Sequence, residues 1–131
     1  MGARLRDERG ASAVEFAFIV PLLLLLVLGI AEFAHAFQVQ GTLSAAAREG
    51  VRAMALQNNA GAAQSVAKTA AGAVGLSDAQ IVVTPPSGSC LSTSTTPVTA
   101  TVTITYNTAL MTGLFDASKT LTGKGVMRCG G

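Results

Sequence analysis

Few side chains in this 131-residue chain are of a kind that does chemistry, and one of them is oddly placed. Glu15 stands at the mouth of an apolar stretch. Ala11 to Val14 before it are small or apolar, and Phe16 to Ala31 carry no charge and are broken only by Pro21 and Gly29. A carboxylate inside a membrane helix costs on the order of 2.5–3.5 kcal/mol, so it usually has a partner or a task. The plainer reading is that Glu15 marks the end of the span and sits among headgroups. Cys90 and Cys129 lack metal-type spacing. A bond between them would close a separation of 39 residues, for roughly 3–4 kcal/mol; two unpaired thiols, or a pairing elsewhere in an assembly, are the alternatives.

The remaining polar residues offer no catalytic set. His35 is the one histidine, and a lone interfacial histidine is more often packed or wet than a ligand. Asp78 and Asp116 read as turn residues, and Gly123-Lys124-Gly125 is too short for a phosphate cradle. Without paired carboxylates or an activated nucleophile there is little for acid–base or covalent catalysis. The expectation is a non-enzyme with no cofactor and no metal. The formal charge is +2, and removing residues 1–10 (Arg4, Arg6 and Arg9 against Asp7 and Glu8) leaves +1. That balance excludes the clustered basic surface that nucleic acid requires.

The segment that positions Glu15 is long enough to matter. Counting from Ala11 it reaches about 20 residues, enough to cross a hydrocarbon core of ~30 Å. Arginines before it, and none of Lys or Arg from Ala31 to Ala45, keep the N-terminus cytoplasmic and send the remainder across. The helical pattern continues beyond the apolar run, with Phe33, Phe37, Ser44, Ala47, Val51 and Met54 forming a stripe and Glu49 able to pair with Arg52. One helix from Ala11 to Leu56 would measure about 70 Å, kinked or opened at Pro21. Gly41 and Gly50 invite local bends.

Asn58-Asn59-Ala60-Gly61 breaks this helix, and Ala62 to Val74 resumes helical composition with Gly75 as a cap. A short strand, Gln80 to Thr84, ends at Pro85-Pro86, and Ser87 to Pro97 is a Ser/Thr-rich loop carrying Cys90. Val98, Ala100, Val102, Ile104 and Tyr106 then alternate strictly with threonines, which predicts a half-buried strand. Leu110, Met111, Leu114 and Phe115 are expected to seal a sheet edge or pack on the long helix. Lys119 to Arg128 is the last strand and brings Cys129 toward the Cys90 loop. The expected fold is α+β: a long N-terminal transmembrane helix continuing into a stalk, with a small head of one short helix and about three strands. By range, this gives a leader at 1–10, a span at 11–31, a helical stalk at 32–57 and an extracytoplasmic domain at 58–131.

The run Arg9-Gly10-Ala11-Ser12-Ala13-Val14-Glu15-Phe16, followed by Pro21 and a leucine run, resembles the N-terminus of the TadE-like family, minor pilins (pseudopilins) of the tight-adherence pilus system. Ala45 to Arg52 and Leu121 to Cys129 also look TadE-like, so the resemblance touches both ends and is weak in the middle. It implies cleavage after Gly10 by a prepilin peptidase, a mature chain beginning at Ala11, and recognition through Glu15 and Phe16. It further implies that Glu15 pairs with the Ala11 amine of a neighbouring subunit. The implied partners are membrane lipid, the peptidase, and other pilin or platform subunits, in a prokaryotic cell membrane or a surface pilus. Two other fates fit the same residues. Ala34-His35-Ala36 before Phe37 matches an ordinary signal-peptidase site and would release a soluble binding module, and an uncut chain would remain a single-pass anchor.

Overall fold

The computed structural model describes residues 4–91, 95–111, 113 and 117–130, with side chains from Gly10 onward. The charged head, Arg4 to Arg9, is therefore described as backbone only, and Leu114, Phe115 and Asp116 lie outside the described residues. The chain is α+β, in the order α1 (Arg4–Gln57), α2 (Ala60–Ala71), β1 (Ile81–Thr84), β2 (Thr99–Ala109) and β3 (Ser118–Arg128). Short 3-10 turns cover Gly72–Val74 and Asp78–Gln80. Internal contacts divide the chain into two units, one ending at His35 and one beginning at Ala36, with α1 contributing to both.

The first unit is helical and bare. Helical assignment runs without interruption through Pro21 and Gly29. Twelve large apolar side chains, Val14, Phe16, Phe18, Ile19, Leu22 through Leu28 and Ile30, are between 40% and 79% exposed. Covering the surface they still expose is worth on the order of 10 kcal/mol, at 1.5–3 kcal/mol for each fully buried side chain. That is as large as the whole stability of a typical domain, so leaving this segment in water is costly. It is long and apolar enough to cross a membrane.

The second unit, the head, is a three-stranded antiparallel sheet in the order β1-β2-β3, with α1 and α2 packed on it. The alternation of β2 sets its burial. Ala100, Val102 and Ile104 are fully buried, while Thr99 and Thr105 are exposed. Ile81 pairs with Ile104, and Ile104 pairs with Gly123, so one row of the inner face runs across all three strands. The helices answer with Val39, Leu43, Ala46, Ala47, Val51 and Met54 from α1, and Ala63, Ala67 and Ala71 from α2. No polar side chain is buried among the described residues.

Two expectations fail in detail. The core stripe of α1 includes the expected Ala47, Val51 and Met54 but begins at Val39, since Phe33 and Phe37 stay 71% and 69% exposed and Ser44 is only half-buried. Hydrophobicity marked those phenylalanines, but the head's core takes Val39, Leu43 and Ala46 from α1 instead. Met111 does not seal the sheet edge either; it is 72% exposed, beyond the last paired residue of β2.

Candidate processing and assembly segment

Gly10, Ala11, Glu15 and Phe16 all lie on α1 and all are exposed. Ala11 and Glu15 are four residues apart on a continuous helix, so they occupy one face a single turn apart, with Ile19 a turn further on. The carboxylate therefore stands on an apolar surface, in line with the point where the apolar segment begins. It is exposed, with no cover from the described residues. Pro21 is inside α1, as are Gly29, Gly41 and Gly50. An added Cβ would meet nothing within 4 Å at Gly10, Gly29 or Gly41. These three glycines are not demanded by packing within the chain.

Gly50 is different. A Cβ there would stand 3.0 Å from the Ala67 Cβ and 3.1 Å from the Ala63 carbonyl oxygen, so glycine sets how closely α2 approaches α1. The same device recurs in β3. A Cβ on Gly125 would fall 2.5 Å from the Ala47 carbonyl oxygen, and one on Gly123 would collide with the backbone of Leu43. Gly123-Lys124-Gly125 is thus a seat for α1, with Lys124 on the opposite, exposed side of the strand. Its signal was present in the sequence. Leu121, Gly123 and Gly125 share the inward parity of an alternating strand, where glycine means close backbone approach.

The helix carrying the segment is locked to the head at its C-terminal end. Asn58 adopts φ of 51°, a left-handed conformation that asparagine tolerates better than most residues. Its N–H donates to the Met54 carbonyl at 2.9 Å, ending α1. Its side-chain oxygen accepts the Cys90 N–H at 2.8 Å, and its backbone carbonyl accepts the Gly88 N–H at 3.1 Å. Asn59 caps α2, its side-chain oxygen accepting the Ala62 N–H at 3.1 Å. Cys90 and Cys129 are joined in a disulfide within the chain, with Cα atoms 5.1 Å apart. Gly130, next to that bond, donates its N–H to the Ala55 carbonyl at 3.4 Å. Helix break, loop and C-terminus therefore meet at one knot, whose hub, Asn58, was read in the sequence only as a breaker.

Arg48, Glu49 and Arg52 lie on the face of α1 turned away from the sheet and are exposed. Lys68 pairs with Asp78 at 3.0 Å and joins α2 to the turn before β1. No group of three or more potential metal ligands occurs among the described residues.

Comparison with protein families gives a match to the model described as TadE-like protein, over residues 10–52. Neither the curated proteins nor the solved structures give a match. The matched range begins at Gly10, takes in Glu15 and the whole apolar run, and ends at Arg52 within the part of α1 that packs on the head. Residues 10–52, about a third of the chain, thus resemble the TadE-like family of the tight-adherence pilus, and the long apolar helix they contain fits a membrane anchor.

Proposed function

We propose that the protein is a minor pilin or pseudopilin of a tight-adherence pilus, cut after Gly10 by a prepilin peptidase and acting as a structural subunit in assembly. The observation that carries this reading is the family match beginning at Gly10 on a helix whose apolar side chains are uncovered. In this reading the uncut chain waits in the membrane, N-terminus in the cytoplasm and head outside. Cleavage converts the amide nitrogen of Ala11 into an ammonium group beside an apolar surface. Glu15 of one subunit then pairs with the Ala11 amine of the next.

Because Ala11 and Glu15 are a turn apart, the pair offsets neighbouring helices axially by about 5–6 Å, one helical pitch. Pairing relieves the desolvation of both charges, but the net gain can be near zero. Its role is register, while cohesion comes from the apolar side chains.

N-terminal sequencing of the protein purified from its own host tests the reading. Ala11 as first residue is expected. Phe37 would indicate release by signal peptidase, and Met1 a permanent anchor. In the same host, Gly10→Leu should retain the full-length mass; a mature mass in that variant would refute the cleavage assignment.

A further inference from the structure

Which backbone groups face outward at the edges of the sheet follows from its register. Cys129 donates its N–H to the Val98 carbonyl at 2.9 Å, one step beyond the Thr99–Arg128 pair. Facing residues in an antiparallel ladder alternate between pairs that exchange hydrogen bonds and pairs that do not. The odd-numbered residues of β3 therefore bond to β2, and the even-numbered ones turn their N–H and C=O away from it. The same alternation carried through β2 makes Ile81 and Val83 the outward residues of β1. Two side chains agree with this. Gln40 donates to the Thr122 carbonyl at 2.7 Å, and Gln64 donates to the Ile81 carbonyl at 3.1 Å.

The two edges are unlike. β1 has four residues, its Ile81 carbonyl is taken by Gln64, and it runs into Pro85. β3 has eleven. Its edge is tied to α1 at Thr122 by Gln40 and, just past the strand, at Gly130, which donates to the Ala55 carbonyl. Between these ties Lys124, Val126 and Arg128 turn their N–H and C=O groups outward, and among the described residues no hydrogen bond reaches them. Their side chains lie on the face opposite the buried Leu121, Gly123 and Gly125, and all three are exposed, Val126 by 58%.

An edge of this kind takes up an extended segment as a further strand, held by backbone hydrogen bonds. Its charge selects which segment. The three strands contain no acid, and their cations, Lys119, Lys124 and Arg128, all lie on β3. A second β3 laid antiparallel about Val126 would set Lys124 against Arg128 twice, so like charge deters self-pairing. Residues directly opposite on one face have Cβ atoms about 4.5–5.5 Å apart, within reach of a carboxylate for each cation. We infer that the edge of β3 from Lys124 to Arg128 receives an extended segment of another protein that carries an acid, an apolar residue and an acid at alternate positions. The acids meet Lys124 and Arg128, and the apolar side chain covers Val126. This contact needs neither cleavage after Gly10 nor a pilus, so its failure would leave the proposed function untouched.

Hydrogen–deuterium exchange of the full chain in detergent, followed amide by amide by NMR, tests the contact. Without a partner, Lys124, Val126 and Arg128 should exchange fast, while Gly123, Gly125 and Met127 are protected. The capped peptide Thr-Glu-Thr-Val-Thr-Glu-Thr, at millimolar concentration, should slow the three edge amides by about tenfold. The same peptide with lysine for glutamate should not, and the double variant Lys124→Glu/Arg128→Glu should reverse the preference. Protection by neither peptide, or by both equally, would overturn the contact. Protection by a glutamate peptide N-methylated at its valine would show binding without strand pairing, and a double variant that still prefers glutamate would remove the charge pairing; either overturns it. Edge amides protected before any peptide is added overturn it as well: protection lost on dilution gives the edge to a second copy, and protection at every dilution closes it within the chain.

Discussion

Replacing Gly125 by alanine adds one methyl group, and the structure specifies what it strikes. The new Cβ would sit 2.5 Å from the Ala47 carbonyl oxygen, 2.7 Å from its carbonyl carbon and 2.9 Å from the Arg48 nitrogen. All three are backbone atoms in the middle of a helix, so no side-chain rotation relieves the contact. Ordinary contact begins near 3.4 Å, so β3 and α1 must separate by the better part of an ångström. Separation loosens Leu43, Ala47 and Val51 against Val102 and Leu121. Overpacking of this kind costs typically 1–3 kcal/mol. At about 4–8 °C per kcal/mol for a domain of this size, the Tm of the head should fall by roughly 5–20 °C.

Gly41→Ala is the matched control, since nothing lies within 4 Å of its Cβ. It should raise stability by up to about 1 kcal/mol through helix propensity alone. The assay is thermal unfolding of the full chain in detergent, followed by Tyr106 fluorescence, since that residue packs against the head's core. A Gly125→Ala head as stable as the parent would refute the direct seating of β3 on α1.

Three further outcomes follow from the same contacts. Asn58→Ala should destabilise the head by about 1–3 kcal/mol, since it forces alanine into a left-handed conformation and leaves the Cys90 N–H without its acceptor; Asn58→Gly should cost less in the same melt, having lost only the hydrogen bond. Replacing both cysteines by serine should lower stability by about 4 kcal/mol through the reopened loop, measured by urea unfolding, and a loss below 1 kcal/mol would mean that the knot at Asn58 holds the Cys90 loop and the end of β3 without the covalent link. Glu15→Ala should leave membrane insertion intact, by carbonate extraction, while reducing recovery in sheared pili; normal recovery would count against the pairing with Ala11.

The elements that were legible in the sequence are those whose partners are solvent or lipid. The thread of threonines from Thr99 to Thr105 shows which face of β2 meets water, and the leucines from Leu22 to Leu26 show that no face of that segment does. What escaped was set by elements distant in sequence. The face of α1 that becomes core is chosen by β3, some 80 residues on, as the Gln40–Thr122 separation of 82 illustrates. A helix read alone favours its largest apolar residues, Phe33 and Phe37, over the smaller Val39, Leu43 and Ala46 that join the core. The glycines of β3 looked featureless because a seat has no side chain of its own. At the candidate site, Glu15 and Gly10 stood out in sequence because each is anomalous for its surroundings.

Two glycines on a strand, spaced to meet residues one helical turn apart, do more than close a gap. Positions i and i+2 on β3 repeat at about 6.8 Å, positions i and i+4 on α1 at about 6.0 Å, so Leu43 and Ala47 engage Gly123 and Gly125 in near step. A tug along this part of α1 therefore meets the sheet lengthwise, with both teeth loaded together instead of opening one after another like a zip.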